Sequence, residues 1–172
     1  MEEKKSSMPL WIKIAVPVMI AAVVAGIFFY KKASKPKAVS TDALPFQITE
    51  LKLDDVKAYG KPVIIDFGSY GCTSCVDMIP VMESLHDEFK DSAVIQFMDV
   101  WEDTEGIDAL PLQMIPTQVF YNTDGTPYQP GKAIADKISF RTDKDGDEVL
   151  YTLHIGELSE AEIREILKDM GV

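Results

Sequence analysis

The chain's two cysteines stand two residues apart, in Cys72-Thr73-Ser74-Cys75. A thiolate is the attacking species in disulfide exchange, and an unperturbed thiol, with a pKa of about 8.5, is mostly protonated near neutrality. The pair follows an apolar run, Pro62-Val63-Ile64-Ile65-Asp66-Phe67, and precedes Met78/Ile79, Met82, Leu85 and Phe89, which are spaced as on one face of a helix. A cysteine between a buried strand and a helix lies where free backbone N–H groups and the helix dipole favour its anion. Two intervening residues bring the second sulfur about one turn on, where it can attack a mixed disulfide and release a substrate reduced. Structural zinc is one competing use, but it needs four ligands, and the remaining soft ligands, His86 and His154, are far apart in sequence. A plain structural disulfide is the other.

Three further positions bear on the choice. Asp66 lies in the apolar run, six residues before Cys72. A buried acid is costly unless it has a task, and proton transfer to or from Cys75 is the natural one; the alternative is a carboxylate at a strand end, in solvent. Pro80 falls inside the helical pattern, where it makes a kink. Ile115-Pro116-Thr117 precedes another apolar run and is a candidate cis bond. Such a turn offers the backbone of Ile115 for strand-like pairing with an extended substrate.

The elements that must hold these residues can be read from the same pattern. Val94-Ile95-Gln96-Phe97-Met98 and Thr117-Gln118-Val119-Phe120-Tyr121 join 62–67 as central strands covered on both faces. A short helix is expected over 53–59. Ser159 and Glu162 form a capping box for a last helix with Ile163, Ile166, Leu167 and Met170 as its stripe and Gly171 as its stop. Asn122-Thr123-Asp124-Gly125 and Asp143-Lys144-Asp145-Gly146 are turn signals, the second between 138–141 and 148–154, which alternate like a hairpin. The sum is an α/β domain with three α/β/α layers and a mixed central sheet, over residues 45–172. Trp101 follows the second strand, and ligand sites of such sheets lie beyond strand carboxyl ends, so Trp101 is a candidate neighbour of Cys72.

Together, the strand with Asp66, the C-x-x-C pair, Pro80, Ile115-Pro116-Thr117, the 122–125 turn and the ending Tyr151-Thr-Leu-His-Ile-Gly156 resemble the thioredoxin superfamily. The resemblance implies a thioredoxin fold and a redox-active Cys72–Cys75 disulfide, with no other cofactor. It implies Cys72 as exposed nucleophile, Cys75 as resolving thiol, Asp66 as buried proton acceptor and Pro116 as the cis-proline beside the pair, with protein thiols and disulfides as clients. The chain departs from the family in three places. Gly71, with Tyr70 before it, stands where an aromatic is common; Thr73-Ser74 is neither Gly-Pro nor a His-containing dipeptide; and an insert near 127–147 is expected to lengthen the terminal hairpin. The dipeptide leaves the redox direction open. Tyr70, Trp101, Ile115 and Pro116 are the candidate substrate contacts.

Residues 10–30 are a separate device. This apolar run has Lys13 as its one charge, Trp11 and Tyr30 near its ends and Pro17 inside it. About 20 such residues span a bilayer core of roughly 30 Å. A single membrane-spanning helix is expected there, after a flank at 1–9 and before a Lys/Ala/Ser/Pro tether at 31–44. A cleaved signal peptide is the alternative. Lys31, Lys32, Lys35 and Lys37 outnumber Lys4 and Lys5, which by the positive-inside rule argues for a cytoplasmic domain. Anchored bacterial members of the resembled family face outward, reduce disulfides of exported proteins and draw electrons from a membrane partner, so the two indications conflict.

The charge splits in the same place. Residues 1–40 hold seven lysines against two glutamates, whereas residues 41–172 hold ten basic against 26 acidic side chains. An acidic body excludes nucleic acid as a partner. The acidic 143–148 stretch lacks the order of a calcium loop, and no metal site is expected. A membrane-tethered thiol–disulfide oxidoreductase is the reading expected; a thioredoxin-fold chaperone or assembly factor, a disulfide-forming oxidase and a redox sensor facing the cytoplasm are the alternatives.

Overall fold

A computed structural model describes residues 44–102 and 104–172, together with Met19, Val23 and Ala25. The chain divides into two units, Met1–Lys37 and Ala38–Val172, and the fold below is that of the second. The expected flank, membrane segment and tether lie outside the described residues, apart from Leu44 and the three residues named above, which are helical. Among the described residues no helix is long and apolar enough to cross a membrane.

Three apolar runs make the centre of the sheet: β1 (Val63–Gly68), β2 (Val94–Asp99) and β3 (Thr117–Tyr121), every residue of each buried. Strands covered on both faces need no polar alternation, which is why these read as continuous runs. β5 (Glu148–Ile155) and β4 (Arg141–Asp145) complete a five-stranded sheet in the order β2-β1-β3-β5-β4. β1 and β2 are parallel; the β1–β3, β3–β5 and β4–β5 pairs are antiparallel. The free edge of β2 is partly met by the entering chain, where Ile48 N–H donates to Phe97 C=O (2.8 Å) and Phe97 N–H to Phe46 C=O (2.7 Å).

Side chains on the two faces form two cores. Ile64, Ile95 and Phe120 pack with Met78, Met82 and Leu85 of the helix after the cysteines and with Ile163, Ile166 and Leu167 of the last helix. Val63, Ile65, Phe67, Val119 and Tyr121 pack on the other face with Leu51, Val56 and Leu110. The layers are therefore α/β/α, with α1 (Leu53–Ala58) and the loop after β2 forming the thinner cover. At about 25 cal/mol per Å² of apolar area removed from water, two cores of this kind are the main stabilising term.

The helix over the cysteines is broken rather than kinked. α2 (Thr73–Val76) is one turn, and α3 (Ile79–Phe89) begins afresh with Pro80 in its first turn. Proline lacks the N–H a continuous helix would need at that point, but costs nothing where the first-turn donors are unpaired anyway. α5 (Glu160–Asp169) has the expected capping box, Ser159 N–H donating to Glu162 Oε2 (2.8 Å) and Glu162 N–H to Ser159 Oγ (3.4 Å).

The 127–147 insert is not a longer hairpin alone. Tyr128 folds back on β3, donating to Phe120 C=O (3.1 Å), and α4 (Lys132–Ala135) adds one turn before β4. The strand expected from 138 starts only at Arg141, because Ile138 is drawn into the core and Phe140 packs its ring edge on Phe120 and Tyr128. The turn expected over 143–146 moves to Gly146-Asp147, between the paired Asp145 and Glu148, with Gly146 at φ 60°.

Candidate active site

β1 ends at Gly68, and the chain turns through Ser69, Tyr70 and Gly71 to Cys72, which occupies the N-cap position of α2. Ser69 holds the turn: its C=O accepts from Cys72 N–H (3.1 Å) and its Oγ from Gly71 N–H (3.1 Å). Cys72 C=O then accepts from Cys75 N–H and Val76 N–H (both 3.1 Å), the turn that stacks the two cysteines. Both are thiols, Cys72 half-buried and Cys75 fully buried, and the Cys72 side chain lies near enough to act on the Cys75 thiol. Gly68 makes room for the inner one, since a Cβ there would lie 3.2 Å from Cys75 Cβ and 3.3 Å from its Sγ.

Burial pushes the Cys75 thiol up to about 12, with the Cys72 sulfur and the charge of Asp66 acting the same way and the Ser69 backbone N–H opposing. Asp66 is fully buried on the face of β1 that meets α2 and α3. Burial pushes its carboxyl up to about 7, against the amide of Gln118, which favours the ionised form. An acid at this value gains and loses its proton near neutrality; the thiol beside it does so only with help.

The Ile115–Pro116 bond is cis. Gly156 N–H donates to Pro116 C=O (2.9 Å) and Thr117 Oγ1 to Met114 C=O (2.7 Å), which ties this turn to the ends of β3 and β5. Ile115 lines a groove of about 460 Å³ with Trp101, Ile107, Leu110, Leu112 and Met114. A second hollow of about 280 Å³ is formed by Tyr70, Gly71, Cys72, Thr73, Val76 and Asp77. Trp101 stands at the boundary of the two, because a Cβ on Gly71 would come within 2.7 and 2.9 Å of its ring. The missing aromatic before Cys72 is thus met by an indole from the loop after β2. Tyr70 lines the Cys72 hollow with its ring edge-on to Phe97 at 5.3 Å and its hydroxyl donating to Gln47 Oε1 (3.3 Å). Among the described residues 44–172, the exposed large apolar side chains are Tyr70, Val76, Trp101, Met114 and Leu150, and all but Leu150 line these two hollows or their rim. Exposed apolar surface so concentrated marks a contact site.

Two buried polar residues not singled out in the sequence belong to this region. Asp99, at the end of β2, accepts Tyr70 N–H on Oδ2 (3.1 Å) and Trp101 N–H on Oδ1 (2.9 Å), joining the cysteine loop to the loop that carries the indole. Its burial disfavours charge, but those N–H groups and the Ser69 hydroxyl outweigh it and hold the carboxyl below the usual range. Gln118 lies directly opposite Asp66 in the β1–β3 ladder and donates Nε2 to Asp66 Oδ1 (2.8 Å). The available signal was a polar residue inside an otherwise apolar central strand. His86 and His154, the soft ligands left over, bond instead to Ile95 C=O (2.6 Å) and Ser139 C=O (2.8 Å) through Nδ1.

Comparison with known proteins agrees with this geometry. The thioredoxin family model matches residues 48–139. A thioredoxin of Mycolicibacterium smegmatis is 30% identical over 92 residues, which are 52% of this chain and 81% of that protein. A thioredoxin of Borreliella burgdorferi is 30% identical over 67 residues, 39% of this chain and 57% of that protein. Among solved structures, a mutant thioredoxin from Halobacterium salinarum superposes with a TM-score of 0.51 at 21% identity, covering 79% of this chain and 97% of that one, a likeness of fold. With a family match over half its length, two neighbouring cysteine sulfurs and a mixed sheet to hold them, the chain belongs to the thioredoxin family and is a thiol–disulfide oxidoreductase.

Proposed function

We propose that this protein is a membrane-tethered reductase of disulfides in exported proteins, working by dithiol–disulfide exchange at Cys72 and Cys75. The observation that carries the reading is the asymmetry of the pair: one sulfur half-exposed in a hollow, the other fully buried and within electrostatic reach of an acid. Cys72, its proton lost to solvent, attacks a client disulfide as a thiolate, forming a Cys72–client bond as the client's other sulfur leaves as a thiolate. Asp66 takes the Cys75 proton, and Cys75 attacks Cys72 to close the enzyme disulfide and expel the second client thiolate. Two electrons pass to the client and the enzyme pair is oxidised; no cofactor is needed. Ile115, held by its cis bond to Pro116, borders the groove for an extended client segment, with Tyr70 and Trp101 as its aromatic flanks. A membrane electron-donor protein returns the pair to the dithiol.

The tether rests on the apolar run at 10–30, whose described residues Met19, Val23 and Ala25 are helical and exposed. The extracytoplasmic side rests on the resemblance to anchored reductases, against the lysines at 31–37.

The Cys72→Ser variant abolishes turnover of a protein disulfide, and Cys75→Ser accumulates mixed disulfides with clients on non-reducing gels. Turnover at the wild-type rate in either variant would remove the assigned roles. The potential of the pair in glutathione buffers decides direction: roughly −230 mV or lower supports reduction, and a value near −120 mV makes the protein an oxidant. Labelling of Cys72 by a membrane-impermeant maleimide on intact cells is expected; protection until lysis overturns the outward orientation.

A further inference from the structure

Gln118 is fully buried, and its side-chain amide is surrounded by acceptors. Nε2 donates to Asp66 Oδ1 at 2.8 Å, to Gly156 C=O at 3.3 Å and toward Met78 Sδ at 3.8 Å. Three acceptors around one nitrogen fix which end of the amide faces the acid, since a carbonyl placed there would meet a carboxylate and another carbonyl. Asp66 Oδ1 is thereby occupied. Among the described residues, Asp66 Oδ2 has no hydrogen-bond partner.

We propose that Gln118 is a positioning residue of the resolving step, holding Asp66 by Oδ1 so that Oδ2 stays free to receive the Cys75 proton. This rests on the reading of Asp66 as proton acceptor. In the step, the Cys75 S–H bond breaks and its proton passes to Oδ2. The sulfur lone pair attacks Cys72 Sγ, the Cys72–client bond breaks, and the client thiolate leaves with that bond's electron pair. The enzyme dithiol is oxidised as the client is reduced, and the proton on Asp66 is later lost to solvent or to the departing thiolate.

Among the described residues, Gln118 is the one side chain that hydrogen-bonds the Asp66 carboxyl. From α2 the titratable neighbour is Cys75, with Cys72 beyond it. From the start of α3 comes Met78, whose sulfur also accepts Leu158 N–H at 3.4 Å. From β2 the paired residue is Phe97, uncharged, and from β3 it is Gln118 itself. From β5, His154 pairs with Gln118 on its far side and points its Nδ1 at Ser139 C=O. A hydrogen bond donated to a carboxylate favours the ionised form, so losing it makes Asp66 a base only at higher pH.

The test uses the full chain carrying a 2-nitro-5-thiobenzoate mixed disulfide on Cys72, whose release by Cys75 is followed by absorbance from pH 4.5 to 9. The wild-type rate rises with pH through the Asp66 titration, about 7. In Gln118→Met, which keeps the side-chain length, that midpoint moves up by about one pH unit, on the order of a tenfold slower release below it. Asp66→Asn has no such midpoint, and adding Gln118→Met to it changes nothing more. A Gln118→Met profile that overlays the wild type, while Asp66→Asn differs, overturns the role of Gln118 and leaves that of Asp66. A wild-type midpoint retained in Asp66→Asn overturns both. A further loss in the double variant also overturns the proposal, since Gln118 would then act other than through the acid. Gln118→Leu gives the same reading if the methionine variant does not fold.

Discussion

A fully buried carboxyl group changes what pH does to the fold. Asp66 is fully buried and titrates near 7, whereas in the unfolded chain it titrates near the ordinary value of 3.8. The folded state therefore keeps a proton that the unfolded state has lost between those two values, and stability falls as pH rises through that window. Below it the group costs nothing; above it the native protein carries a buried charge. Asp66→Asn removes the penalty. In urea titrations its stability relative to wild type is expected to improve from pH 4 to pH 8, by up to about 4 kcal/mol for the full span. A difference that does not change with pH counts against a buried, shifted carboxyl. Enzymes keep such residues where proton transfer matters more than stability. Asp66 and the cysteines were legible in the sequence because each broke a local expectation: an acid in an apolar run, a thiol pair at one-turn spacing.

Loops that must hold a reactive group still need partners of their own. The cysteine loop and the loop after β2 are joined through one carboxylate, Asp99, which accepts N–H groups from Tyr70 and Trp101. Asp99→Ala leaves both donors without that acceptor and is expected to destabilise the domain by about 2 kcal/mol, read from thermal or urea unfolding. A second consequence concerns the indole. Gly71→Ala puts a Cβ inside the contact distance of the Trp101 ring, so the ring or the loop must shift. With Trp11 replaced by Phe, Trp101 is the sole tryptophan of the chain. Its emission maximum is expected to move in Gly71→Ala, and KM for a protein disulfide to rise severalfold. Unchanged emission and KM would show that the ring has no part in shaping the site. The pairing of Gly71 with Trp101 was not visible in sequence, because it joins two loops whose approach depends on the parallel register of β1 and β2. The break before α3 is similar: Pro80 announces an interruption, but only packing of Met78 against Gln118 and Leu158 shows where the new helix begins.

At the scale of the molecule, the acidic unit carries its own core. Among the described residues, both apolar clusters are built from side chains between 44 and 172. Deleting residues 1–40 is expected to leave a soluble, folded fragment that still reduces a small disulfide, with a single cooperative thermal transition. Aggregation of the fragment would place the boundary elsewhere.

Composition, periodicity and a pair of cysteines determined the class of the domain, its three central strands, its capped last helix and the thiol chemistry, because each of these depends on residues near one another in the chain. Tertiary structure alone decided which side chains face Asp66, where the indole lies and how the 127–147 insert divides. Those contacts join residues 29 to 80 positions apart, and strand register, which no local pattern encodes, sets which of them meet.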